Sequence, residues 1–193
     1  VMFLHGLEGS ASGTKGKHLA TQWGATCPPL RTEDLIDKRD SCNGKWETLD
    51  QSEKDSGIAL AYADAASAVR YAKPDIIVGS SMGGAILFKL LAEEKFSGTA
   101  VFCVPAIENL LDRGLIKKGI EKLKSHQSVW LLAELDHLVA NSGNIKIASE
   151  CNGSLMISPN DTHRLYDAVK KGLLDTAVLT AIELSAHHDN MLL

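Results

Sequence analysis

The chain has 193 residues, 45% of them hydrophobic and 23% charged, with a formal net charge of −4 at pH 7. That length suits one domain around a single core, and no apolar run approaches the roughly 20 residues that span a bilayer. The negative balance argues against a nucleic-acid binder, which would gather Lys and Arg on one face to neutralise phosphates.

The first apolar run, residues 1–4, reads as a strand and leads into His5-Gly6-Leu7-Glu8-Gly9-Ser10. A loop of this kind directly after a strand can bring a backbone N–H to a developing oxyanion, and Leu7 is the candidate donor. His5 is expected to shape that loop rather than act as a base. The glycines that follow do not form a phosphate-binding loop. A G-x-x-x-x-G-K-[ST] match ending at Gly16-Lys17 would need glycine at 11 and a hydroxyl at 18, where the chain has Ala11 and His18.

A second, weaker apolar run covers residues 25–30. Residues 37–56 are polar, with Gly and Asn and little periodicity, and read as an irregular surface excursion anchored by Trp46. Packing the excursion down is the expected task of Trp46, with substrate contact the alternative. Ile58, Tyr62, Ala65, Val69 and Ala72 then recur at helical spacing.

The next strand ends in Gly79-Ser80-Ser81-Met82-Gly83 and runs straight into an apolar helix. A G-x-S-x-G turn between strand and helix is so tight that side chains two residues either side of the central serine would collide with their neighbours, and glycine removes them. Ser81 is therefore the candidate nucleophile. The Met82 N–H, at the helix start, is the second candidate oxyanion donor. Ser80 has the wrong spacing and should face the interior.

Residues 99–104 form a further apolar run, in which Cys103 reads as a small core side chain. The four cysteines lie far apart without a CxxC pair, which suits neither a zinc cage nor a disulfide framework and points to reduced thiols in a cytoplasm. No signal peptide is visible, and an opening almost directly on a strand is compatible with a trimmed leader. Residues 107–123 have room for one or two short helices interrupted at Gly114. Lys117, Lys118, Lys122 and Lys124 fall on the wet side of Ile116, Ile120 and Leu123.

A serine nucleophile needs an imidazole to take its proton and a carboxylate to orient that imidazole. Asp136 follows the strand 129–133 and is the candidate acid. Glu134 competes, but sits closer to the strand body, where an unpaired carboxylate is costly. The last apolar run, 154–158, ends in Pro159-Asn160-Asp161-Thr162-His163, which makes His163 the candidate base. Leu174, Val178, Ala181 and Ser185 mark a final helix. The pair His187-His188 beside Asp189 reads as solvated rather than as a metal site.

Strands that are continuously apolar and separated by helices predict an α/β fold with about six mostly parallel strands, helices on both faces, and little that could serve as a lid. The segments FLHGLEGSASGTKGKHL, ATCPPL, PDIIVGSSMGGAILFKLL, LLAELDHLV and NDTHRLYD together resemble the small bacterial α/β-hydrolases of the YqiA-like esterase group. The resemblance spans most of the chain. It implies a compact α/β-hydrolase fold and a triad of Ser81, Asp136 and His163. The sequence departs from that group where Thr162 separates Asp161 from His163, and in the excursion at 37–56. The expected chemistry is hydrolysis of a short or medium acyl ester without a metal or organic cofactor. A thioesterase or acyltransferase using the same residues, and a non-catalytic binding protein of the same fold, are the alternatives. Because a free imidazole titrates near ~6.5, activity is expected to fall in acid as the base is protonated.

Overall fold

The computed structural model describes the backbone of residues 1–190 and the side chains of residues 1–186. Its elements in chain order are β1 (Met2–Leu4), α1 (Thr14–Trp23), α2 (Glu33–Ser41), a 3-10 turn (Trp46–Thr48), α3 (Gln51–Ala72), β2 (Ile76–Ser80), α4 (Met82–Ala92), β3 (Thr99–Cys103), α5 (Ile107–Leu110), α6 (Arg113–Leu123), β4 (Ser128–Ala133), α7 (Asn141–Glu150), β5 (Ser154–Ser158), α8 (Tyr166–Lys170) and α9 (Leu173–Asn190). The five strands form one sheet in the order β1-β2-β3-β4-β5, every pair parallel. All carboxyl ends therefore point the same way, and the loops that leave them share one edge.

Strand alternation divides the core into two layers. Ala100 and Phe102 of β3 face one side with Ile58, Ala65, Phe88 and Leu123, which brings in α3, α4 and α6. Val101 and Cys103 face the other with Leu19, Ala168 and Val178, which brings in α1, α8 and α9. Phe102 stacks on Trp130 with ring centroids 4.3 Å apart. The larger aliphatic and phenyl side chains among these, such as Ile58, Leu123 and Phe88, each contribute about 1.5–3 kcal/mol from their apolar area once buried. Burial also pushes the Cys103 thiol up to about 12, so it behaves as a packing residue.

The structure departs from the sequence reading in four places. The run at 25–30 is not a sixth strand: Thr26 makes one parallel bridge to Met2, with Phe3 N–H donating to Thr26 O at 2.8 Å. Pro28 and Pro29 follow directly, and residues without N–H groups cannot extend the ladder. Residues 37–56 are also not irregular throughout. They complete α2 and begin α3, with turns only between Cys42 and Asp50. The start of α3 is a capping box, in which Asp50 accepts from Glu53 N–H and Glu53 accepts from Asp50 N–H. Helical periodicity is faint in α2 because only Leu35 is buried there.

The helical break expected at Gly114 falls earlier, at Leu111 and Asp112. Asp112 caps α6 by accepting from the N–H groups of Gly114 and Leu115. Finally, β5 is an edge strand, and Leu155 and Ile157 on it are exposed rather than covered on both faces.

The lysines at 117, 118 and 124 are exposed while Leu123 is buried, as on a solvated helix face. Among the described residues, no helix is long and apolar enough to cross a membrane. The side chains of His187, His188 and Asp189 lie outside the described residues. Among the others, no group of three or more His, Cys, Asp or Glu side chains is arranged to hold a metal ion.

Candidate active site

The turn from β2 into α4 puts Ser81 at φ 55° and ψ −116°, a conformation that costs a non-glycine residue on the order of 1–3 kcal/mol. Its backbone bonds hold it there. The Ser81 N–H donates to Cys103 O on β3 at 3.0 Å, and Ser81 O accepts from Gly84, Ala85 and Ala106. Strain fixed in this way lifts the side chain clear of the sheet. Ser80, by contrast, is buried.

The glycines either side allow the approach. A Cβ on Gly79 would lie 2.7 Å from Gly83 O, and one on Gly83 would lie 2.1 Å from Leu4 O and 2.7 Å from His5 O. Since β1 would have to move, Gly83→Ala is expected to cost about 3 kcal/mol, the upper part of the range for overpacking, and to lower Tm by roughly 6–12 °C. Thermal unfolding checks this, and an unchanged Tm would mean that the β1 carbonyls yield freely.

The loop after β1 is pressed against the same turn. A Cβ on Gly6 would lie 3.1 Å from Ser81 Cβ, so the backbone that carries Leu7 borders the serine. His5 is buried and its Nδ1 donates to Gly6 O at 2.8 Å. It shapes the loop, as its position in the sequence suggested.

The three side chains singled out on separate loops meet. His163 Nε2 lies 2.9 Å from Ser81 Oγ, and His163 Nδ1 lies 2.8 Å from Asp136 Oδ2. An ionised carboxylate only accepts, so Nδ1 carries the proton and Nε2 is left to accept from the serine hydroxyl. The other carboxylate oxygen, Asp136 Oδ1, accepts from Leu138 N–H at 2.9 Å and Val139 N–H at 3.0 Å. Burial works to raise the Asp136 pKa, but the His163 hydrogen bond, the two amides and the attraction of the imidazole together hold it below the usual carboxylate value. Its side chain is 0% exposed and that of His163 13%.

Glu134, the competing acid, turns outward and accepts from Asn160 N–H at 2.7 Å. With Leu135 N–H donating to Asp161 O at 2.9 Å, it fastens the loop after β4 to the loop after β5. Those bonds fix Asp136 relative to His163. Asp161 is buried and accepts from Ser158 Oγ, Thr162 N–H and Ala168 N–H. The extra residue Thr162 is thus absorbed in a turn that still delivers His163 to the serine.

Ser81 and His163 open into a pocket of about 540 Å³ that Leu7 and Met82 also line. Leu110, Leu138, Val139 and Tyr166 give it an apolar side, and Trp46 both lines it and packs against the core. Glu8 also lines the pocket, gripped by Arg39 from α2 and faced by Arg164 at 3.5 Å. Sequence reasoning missed this cluster, because side chains so far apart in the chain leave no spacing signal; His137, set aside in the sequence as a histidine without a strand edge before it, also lines the pocket. A larger cleft of about 850 Å³, lined by Arg70, Lys73, Phe96 and His126, contains none of the three meeting residues.

A parallel sheet between two helical layers, with a strained serine turn and a strand-edge histidine and carboxylate on one side, defines the α/β-hydrolase fold. The chain has that fold. In sequence it matches no protein-family model and no curated protein. Among solved structures, it is similar to a protein of the alpha/beta hydrolase superfamily from Xanthomonas campestris pv. campestris at 19% identity and TM-score 0.56, over 93% of this chain and 96% of that one. It is also similar to Est1E from Butyrivibrio proteoclasticus, a structure with ferulic acid bound, at 14% identity and TM-score 0.59, over 90% and 87% of the two chains. An esterase domain from Rhodothermus marinus aligns at 12% identity and TM-score 0.56, over 93% and 84%. At these identities the likeness is one of fold.

Proposed function

We propose that the chain is a serine hydrolase cleaving carboxylic esters of short or medium acyl groups through an acyl-enzyme on Ser81. The observation that carries this reading is the unbroken hydrogen-bonded chain from Ser81 through His163 to Asp136, with its serine end on an open pocket. The motifs shared with the YqiA-like group, and the esterases among proteins of similar fold, support it.

In this reading His163 Nε2 takes the Ser81 proton as Oγ bonds to the acyl carbon. The carbonyl oxygen becomes an oxyanion that accepts from the N–H groups of Leu7 and Met82. As the tetrahedral species collapses, the alkoxide leaves with the proton from His163. Water then attacks the acyl-enzyme, giving its proton to His163, and the second collapse returns that proton to Ser81 Oγ and releases the acid. Asp136 stays ionised throughout and stabilises the imidazolium formed in each half-reaction.

A pocket of about 540 Å³ suits acyl groups of modest length better than long lipids. The test is a panel of aryl esters and thioesters of graded chain length, run beside a fluorophosphonate probe with its site mapped by peptide mass. Labelling at Ser81 and a kcat/KM maximum in the short to medium range are expected. A protein that neither labels nor turns over any member is not a hydrolase of this kind.

A further inference from the structure

We propose that Lys15 is a positioning residue for the base: from the first turn of α1 it holds the loop that carries His163. The inference rests on the hydrolase reading above and extends it to a residue outside the three that meet. Lys15 Nζ donates to the backbone oxygen of Arg164 at 2.8 Å, a contact across 149 positions of sequence. Arg164 directly follows His163, so that oxygen belongs to the short segment that sets the imidazole.

Lys15 is half-buried where its ammonium makes this contact. Burial pulls its pKa below that of an ordinary lysine, opposed in part by Cys103 and Asp161, while Arg164 adds to the lowering. Lys15 also lines the Ser81 pocket. The loop that Lys15 grips must place Nε2 within hydrogen-bonding reach of Ser81 Oγ. Other bonds secure the rest of that loop. Asp161 fixes the stretch before His163 through Ser158, Thr162 and Ala168, and Leu165 N–H donates to Thr162 O. On the far side of the histidine, Lys15 ties the backbone of Arg164 to α1, while the Arg164 side chain faces Glu8 on the loop after β1 at 3.5 Å.

The experiment is Lys15→Met, which keeps the stem and removes the donor, compared with the unaltered protein for kcat, KM, Tm and the rate of fluorophosphonate labelling at Ser81. The expected result is kcat and labelling rate reduced about tenfold, KM within about threefold, and Tm unchanged or raised. Lys15→Arg, which retains a donor, is expected to recover most of the lost kcat. An unchanged kcat in Lys15→Met overturns the proposal. So does a lower kcat accompanied by a matching loss of Tm, which would make Lys15 a residue of the fold. Failure of the unaltered protein to label at Ser81 would instead refute the hydrolase reading.

Discussion

Ser81→Ala is expected to lower kcat/KM by about 10⁵- to 10⁶-fold and to abolish fluorophosphonate labelling, while Tm stays within a few degrees. The activity loss is large because Ser81 Oγ is the hydroxyl from which His163 Nε2 accepts. Ser80 is buried in β2, and the proton acceptor His163 Nε2 is already committed to Ser81 at 2.9 Å. Stability should change little because the strain at φ 55° belongs to the backbone. Alanine has the same Cβ, and the bonds from Ser81 N–H to Cys103 O and from three amides to Ser81 O survive the substitution. Residual turnover of about 10³-fold over water would reflect binding and the oxyanion donors alone. Retention of more than a tenth of the activity would remove Ser81 from the mechanism.

The sheet and its serine turn were legible because both depend on local chemistry. Apolar runs in β2, β3 and β4 are buried on both faces, so composition alone marks them. The glycines at 79 and 83 are required by contacts that only a tight turn creates. Asp136 and His163 could be chosen because loops leaving parallel strands collect at one edge. What stayed hidden depends on solvent and on distant partners. The bridge at Thr26 is stopped by two prolines, a limit on hydrogen bonding that an apolar count does not register. Helix α2 buries only Leu35, so it has no apolar stripe to detect. The Asp50–Glu53 capping box was readable as a D-x-x-E spacing within the excursion. The link from Lys15 to Arg164 and the grip of Arg39 on Glu8 join parts of the chain that no spacing rule connects.

The second large effect is expected at Asp136, where asparagine should lower kcat by about 10⁴-fold with little change in Tm. Asparagine has the shape of aspartate, so the loss must come from the proton inventory. Asp136 Oδ1 accepts two backbone N–H groups, from Leu138 and Val139. An amide NH₂ in that position would set donors against donors, so the Asn oxygen must take the Oδ1 place. Its NH₂ is then directed at His163 Nδ1, where the carboxylate had accepted at 2.8 Å. To pair with that donor, Nδ1 has to give up its proton, and the proton moves to Nε2. In that tautomer Nε2 cannot take the Ser81 proton, although every heavy atom is where it was. Fluorophosphonate labelling should slow in parallel, because it draws on the same base. Glu134→Gln provides the contrast: its carboxylate accepts from Asn160 N–H, a bond that the Gln carbonyl oxygen can keep, so kcat should remain within about threefold. Should Asp136→Asn retain kcat within tenfold while Glu134→Gln loses it, the acid is Glu134 and the contact seen between Asp136 and His163 is not the working one.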